Sequence, residues 1–175
     1  MKLIVGLGNP DKEYEKSRHN VGHMLVDSLG ERGKGMSKAP TRMVGGSREW
    51  KAEKTDVYMN ESGEFVAKQK NFYKISLDDL YVVYDDLDIP LGGYKISKGK
   101  SPRVHNGILS VIEKLGTEDF WHVRIGIEHR TKDKEQRQTG KEYVLSDFTK
   151  EEKPELEKVI GEVVEHLTQS FAIAK

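Results

Sequence analysis

Lys2-Leu3-Ile4-Val5-Gly6-Leu7-Gly8-Asn9-Pro10 is the stretch on which the fold turns. Residues 2 to 7 are a short, mostly apolar run with β-branched Ile4 and Val5, closed by a Gly-Asn-Pro break. Such a run reads as a strand buried on both faces of a sheet. The chain then crosses a charged loop and reaches Ser17-Arg18-His19-Asn20, just before Val21, Met24, Leu25 and Leu29 at helical spacing. A strand that feeds a helix puts its exit loop and the helix start on one edge of the sheet, where open α/β sheets bind ligands. Asn9 and His19 would share that edge. An amide and a titratable imidazole converging on a cleft point to proton transfer on a neutral polar substrate.

A dinucleotide fingerprint is the rival reading, since Gly6-Leu7-Gly8 follows the strand. The third glycine would fall at position 11, which is Asp11. A carboxylate there repels a pyrophosphate, and Pro10 removes a backbone donor. The fingerprint is rejected, and no cofactor is expected.

The rest of the chain alternates strands and helices. A helix is expected over about 20–31, two short strands within 41–59, and a helix from Ser62 with Phe65, Val66, Gln69, Phe72 and Tyr73 as its apolar stripe. Ser76-Leu77-Asp78-Asp79 reads as a capped helical turn. Leu80–Tyr84 is a second apolar strand, with Asp85-Asp86-Leu87-Asp88 at its carboxyl end. Gly92-Gly93 turns into a strand through Tyr94 and Ile96, and 97–104 reads as loop. His105–Leu115 is a helix, Trp121–Ile127 a strand, and 128–141 a charged, mobile loop without an apolar anchor. Thr149 and Glu152 make a capping box for a last helix through Leu156, Val163 and Phe171. The pattern predicts a single α/β domain over 1–175, three αβα layers around a mixed, largely parallel sheet.

Composition narrows the function classes. The 29 basic residues balance 29 acidic ones, so net charge +0 does not announce a nucleic-acid partner. With no cysteine, disulfides, thiolate metal sites and a Cys nucleophile are excluded. No apolar run approaches membrane-spanning length, and the apolar residues before Asn9 are too few for a secretory core. A soluble, cytoplasmic protein is expected.

His19 and His23 have the i, i+4 spacing of zinc ligands, but the glutamate of HExxH is replaced by Asn20. Zinc is not expected at this pair. Asp85, Asp86 and Asp88 leave three readings open: solvated charges, a divalent-cation site, or one carboxylate that accepts the Nδ1 hydrogen of His19. No Ser or Cys stands in a nucleophile-elbow setting, so water is the economical nucleophile. Asn60 and Asn106 can cap helices or hold a carbonyl, a water or a ribose hydroxyl. Lys95, Lys98, Lys100 and Arg103 form a basic run without an acid, and Arg124 lies on the strand before the charged loop.

The GLGNP-type strand exit, Tyr14-Glu15-Lys16-Ser17-Arg18-His19-Asn20-Val21-Gly22, Met59-Asn60-Glu61-Ser62-Gly63, Asp85-Asp86-Leu87-Asp88-Ile89-Pro90 and His105-Asn106-Gly107 together resemble bacterial-type peptidyl-tRNA hydrolase. The resemblance covers about nine tenths of the chain. It implies hydrolysis of the ester joining peptide to tRNA, without cofactor or metal, by a monomer. By the same resemblance His19 is the general base, Asp85 its orienting partner, and Asn9, Asn60 and Asn106 position carbonyl, water and acceptor end. Tyr14, Tyr58, Lys95, Arg103, His105 and Arg124 are the expected substrate and tRNA contacts, with Lys95 and Arg124 gripping the 5′-phosphate. Residues 97–107 match a gate and 129–141 a lid. Departures are Arg103-Val104 in place of two glycines, Leu109 for a basic residue, Val57 for a threonine and Glu128 for a glycine. The alternative is an RNA-binding protein on this fold with weak or lost turnover.

Overall fold

The computed structural model describes residues 1–32, 50–102 and 104–173. β1 (Lys2–Gly6) is buried at all five positions. It pairs in parallel with β2 (Trp50–Lys54) on one side and β3 (Leu80–Pro90) on the other. β3 pairs in parallel with β5 (Trp121–Glu128), and β4 (Tyr94–Lys98) closes the far edge antiparallel to β5. The order β2-β1-β3-β5-β4 gives the mixed, largely parallel sheet that the alternation of elements predicts.

The period-two alternation of the strands divides the core between two faces. Ile4, Tyr81, Val83, Val123 and Ile125 pack with α1 (Val21–Arg32) and α5 (Lys153–Ile173), through Leu25, Leu29, Val163 and Leu167. Leu3, Val5, Leu80, Val82 and Tyr84 pack with α2 (Ser62–Phe72) and α3 (Asn106–Leu115), through Phe65, Val66, Ile108 and Val111. Each fully buried aliphatic side chain contributes about 1.5–3 kcal/mol, so the central strands are firmly seated and can carry polar groups at their carboxyl ends.

Two glycines set how close α1 lies to the sheet. A Cβ on Gly22 would stand 2.5 Å from the Val83 carbonyl oxygen, and one on Gly6 would stand 2.2 Å from the Gly22 oxygen. Backbone thus meets backbone at the crossing, which draws the start of α1 down onto the carboxyl ends of β1 and β3.

Several elements differ from their sequence reading. β3 does not stop at Tyr84 but runs to Pro90, so Asp85 and Asp86 lie inside the strand, each only 2% exposed. The expected second strand near Val57 and Met59 is instead a 3₁₀ turn over Met59–Glu61, because the Met59 N–H donates to the Asn9 side chain (2.9 Å) rather than to a ladder. The 41–49 part of that expectation lies outside the described residues. Phe72 is 74% exposed and ends α2 rather than extending its buried stripe. At the end of the charged run, Gly140–Leu145 is a short helix, α4, opened by a Thr139–Glu142 capping box. The Thr149–Glu152 pair makes the reciprocal bonds expected of it, at 2.7 and 3.3 Å, one turn ahead of α5. No helix among the described residues is long and apolar enough to cross a membrane.

Candidate active site

β1 and β3 are neighbours, yet the chain leaves β1 for β2 on the opposite side, so their carboxyl ends flank a point where the strand order reverses. A cleft of about 810 Å³ opens there, lined by Asn9, His19, Asn60, Asp85, His105 and Asn106 among others. His19 comes from the 3₁₀ turn Arg18–Asn20 that leads into α1, and His105 from the N-cap of α3. Asn60 and Asn106 stand exposed on the rim.

One carboxylate oxygen organises the centre. Asp85 Oδ1 lies 2.8 Å from His19 Nδ1 and 2.9 Å from His105 Nε2. His105 Nδ1 accepts the Ile108 backbone N–H at 3.2 Å. An N–H can only donate, so that nitrogen carries the lone pair and Nε2 carries the proton given to Asp85. Burial alone would raise the Asp85 carboxyl, but the two imidazoles outweigh it and hold the group well below the usual carboxylate range. An ionised Asp85 accepts the Nδ1–H of His19, which leaves His19 Nε2 as the basic atom. Burial penalises the His19 imidazolium, and the adjacent Asp85 charge more than offsets this, so its pKa is raised above 6.5.

The amides are held as firmly. Asn20 Oδ1 accepts the Asn9 N–H and Asn20 Nδ2 donates to the Asn9 carbonyl, both at 2.9 Å, imitating a strand bridge. Asn9 Oδ1 accepts from the Met59 N–H, which leaves the Nδ2 hydrogens for the cleft that Asn9 lines. The Thr55 hydroxyl clasps the same exit loop through Gly8 N (3.1 Å) and Gly8 O (2.9 Å).

His23 does not join His19. Its Nε2 lies 3.0 Å from Thr55 Oγ1, and burial followed by nearby Lys54 lowers its pKa to about 4. The group whose ligand atoms lie within 4.8 Å of one another is His19, Asp85 and His105. There the two imidazole N–H groups converge on the carboxylate oxygen, so a cation would have to displace two buried hydrogen bonds.

The remaining sequence candidates are more dispersed. Lys95 and Arg124 are cross-strand register partners, which puts both on the α2/α3 face of the sheet. Lys95 is exposed, whereas Arg124 Nε donates to the buried Asp86 Oδ2 at 2.6 Å. Neither lines the cleft. Tyr58 lines it and its hydroxyl donates to Asp11. Tyr14, half-buried in the 3₁₀ turn Lys12–Tyr14, does not line it. Arg103 lies outside the described residues. Sequence reasoning passed over Arg18, Asn20 and Thr55. The first two were visible as the immediate neighbours of His19, whereas nothing around Thr55 marks it.

The comparisons with known proteins agree with one another. The family described as "Peptidyl-tRNA hydrolase" matches residues 3–174. The chain is 40% identical to a peptidyl-tRNA hydrolase of Desulfitobacterium hafniense over 96% of its own length and 91% of the relative's. It is 42% identical to that of Aquifex aeolicus, over 99% and 92% respectively. Among solved structures, peptidyl-tRNA hydrolase of Acinetobacter baumannii superposes with a TM-score of 0.81 at 26% identity, covering 98% of this chain and 93% of that one. With nearly the whole length matched from both directions, the chain belongs to the peptidyl-tRNA hydrolase family.

Proposed function

We propose that the chain hydrolyses peptidyl-tRNA through His19 acting as general base on water. The observation that carries this is the single Asp85 oxygen shared by two imidazoles, which forces His19 into the tautomer with Nε2 free. In the step we envisage, Nε2 takes a proton from water as the water oxygen bonds to the ester carbonyl carbon. The carbonyl oxygen gains negative charge, and the Asn9 Nδ2 hydrogens are placed to donate to it. Collapse breaks the bond to the ribose oxygen, and the imidazolium returns its proton there. Free peptide and tRNA leave. Asn60 and Asn106 on the rim hold the incoming water and the acceptor end. His105, with both ring nitrogens engaged within the protein, acts as a positioning residue on Asp85 rather than as a contact to substrate.

Asp85→Asn tests this assignment. Turnover of an N-blocked aminoacyl-tRNA should fall while the chain still folds and tRNA binding stays close to wild type. If Asp85→Asn is silent and Asp86→Asn is not, the wrong carboxylate has been chosen. Chelator should leave the wild-type rate unchanged. An RNA-binding protein without turnover is not favoured, because the relatives matched are hydrolases.

The finer partner assignment is that Lys95 and Arg124 hold the tRNA 5′-phosphate and that a monomer does so in the cytoplasm. Arg suits a phosphate through its planar fork, and Lys acts as a mobile point charge. Lys95→Ala should weaken tRNA binding and flatten the slope of log affinity against log salt by roughly one. Arg124→Ala is a less clean test, because it also strands the buried Asp86 carboxylate. Removing the 5′-phosphate should mimic Lys95→Ala and add little to it. An unchanged salt slope in Lys95→Ala would reduce the pair to a solvated face.

A further inference from the structure

Three charged side chains beside the catalytic centre are left unused by the mechanism. Glu128 at the end of β5 takes a two-point fork from Arg130, with Nη2 to Oε2 at 2.5 Å and Nε to Oε1 at 3.0 Å. The same Oε2 accepts Arg137 Nη2 at 2.9 Å. Arg130 Nη1 also donates to the Gln138 carbonyl at 3.0 Å, tying the far end of the loop to its base. The charged run therefore does have an anchor, an ionic one, which its lack of apolar residues concealed. Two guanidinium charges face one carboxylate, and Lys141 adds a third cation on the same wall.

We propose that Arg130 and Arg137 form a binding site for a phosphodiester of the tRNA acceptor strand, with Glu128 occupying the pair as an internal anion until the strand enters. The proposal rests on the peptidyl-tRNA hydrolase reading, since it assigns the path that the RNA takes from the ester at His19. The strand is a polyanion and must leave the cleft along a wall. Among the described lining residues, the cations other than histidine are Arg130, Arg137 and Lys141, all on this wall. Asp86 and Asp88 line the cleft too, and Asp86 is already paired with Arg124. A carboxylate and a phosphodiester both present paired oxygens to a guanidinium fork, so one can replace the other without rebuilding the site. Hydrogen bonding from Arg130 holds the Glu128 carboxyl down at about 2, so the stand-in is an anion at any working pH.

The test uses N-acetylaminoacyl-tRNA and the phosphate-free ester N-acetylaminoacyl-adenosine, with three variants of the full chain. Arg137→Gln, on a side chain 39% exposed, should raise KM for the tRNA substrate several-fold. It should also flatten the fall of log(kcat/KM) with log[NaCl] by about 0.7. Glu128→Gln frees the arginines and should lower that KM. Lys158→Gln, an exposed cation on α5 away from the cleft, controls for net charge and should leave both substrates unaffected. Opposite signs for Glu128→Gln and Arg137→Gln, confined to the phosphate-bearing substrate, are the expected result. Shifts of the same sign, or equal shifts on the phosphate-free ester, would show a purely structural clip and overturn the site. A wild-type protein that cleaves neither substrate would remove the hydrolase reading, and the site with it.

Discussion

His19→Ala should lower turnover of peptidyl-tRNA by about 10²- to 10⁴-fold, the usual worth of a positioned general base. Substrate binding should change little, because the ring contributes a proton acceptor rather than bulk to the complex. The pH profile makes the claim sharper. His19 must be neutral to accept a proton, and its pKa is raised above 6.5 by Asp85. The wild-type rate should therefore climb with pH through an inflection above 6.5. Asp85 is held far below that range, so it stays ionised throughout and adds no second limb. In Asp85→Asn the counter-charge is gone while burial remains. The inflection should then move to lower pH even as the plateau rate falls. The same carboxylate-to-amide change in a serine-hydrolase triad costs about 10⁴-fold through the wrong histidine tautomer, which sets the scale of the loss here. The same shift carries a stability sign. The His19–Asp85 ion pair contributes fully below 6.5 and is lost as pH rises through the raised value, so the catalytically competent form is the one without it. Near-wild-type turnover by His19→Ala, or a flat pH profile, would take His19 out of the mechanism.

What could be read beforehand follows the physics of each segment. Strands buried on both faces, such as Lys2–Gly6 and Leu80–Tyr84, announce themselves because burial demands an unbroken apolar run. The continuation of β3 through Asp85 and Asp86 does not, because carboxylates are poor strand formers unless tertiary partners neutralise them, and those partners, His19, His105 and Arg124, are distant in sequence. The site was legible as a set of residue types near strand ends. Its wiring was not. That His105 serves Asp85 depends on a cap bond to Ile108 that fixes its tautomer, and no spacing rule encodes that geometry. The Met59 turn was misread as strand because Val57 and Met59 alternate, while its backbone N–H is claimed by Asn9 fifty residues away. The Thr139–Glu142 box could have been found, since it has the same signature as Thr149–Glu152, but it straddles the end of a run that looked uniformly charged.

The second large effect should appear in stability rather than chemistry, at Arg18. Its Nη2 donates to Glu152 Oε2 at 2.6 Å, with both side chains about 95% buried. Nη1 bonds Ser146 Oγ at 2.7 Å and the carbonyls of Ser146 and Asp147, and the guanidinium lies 4.1 Å from the centre of the Tyr143 ring. Arg18 therefore pins the turn that carries His19 to the α4–α5 connection. Glu152 in turn accepts the Thr149 N–H at 2.7 Å, so one carboxylate joins the helix cap to the turn that carries His19. Burial works against the Glu152 charge, and the Thr149 N–H and Arg18 outweigh it, leaving the carboxyl below its ordinary 4.5. Its contribution is thus complete at neutral pH and lost as pH falls through that lowered value. Removing one member of a buried pair leaves an uncompensated charge and costs about 3–5 kcal/mol. For a chain of this size each kcal/mol moves the thermal midpoint by about 2–4 °C. Arg18→Met should therefore lower the midpoint by roughly 6–20 °C, and should flatten the loss of stability in acid. Arg18→Met combined with Glu152→Leu removes both charges, so it should be less destabilised than the sum of the single variants. Additive losses, or single variants within about 1 kcal/mol of wild type, would mean that the pair contributes no more than a surface salt bridge. The turn bearing His19 would then be held by the Asn20–Asn9 bridge and the Gly6–Gly22 contact instead.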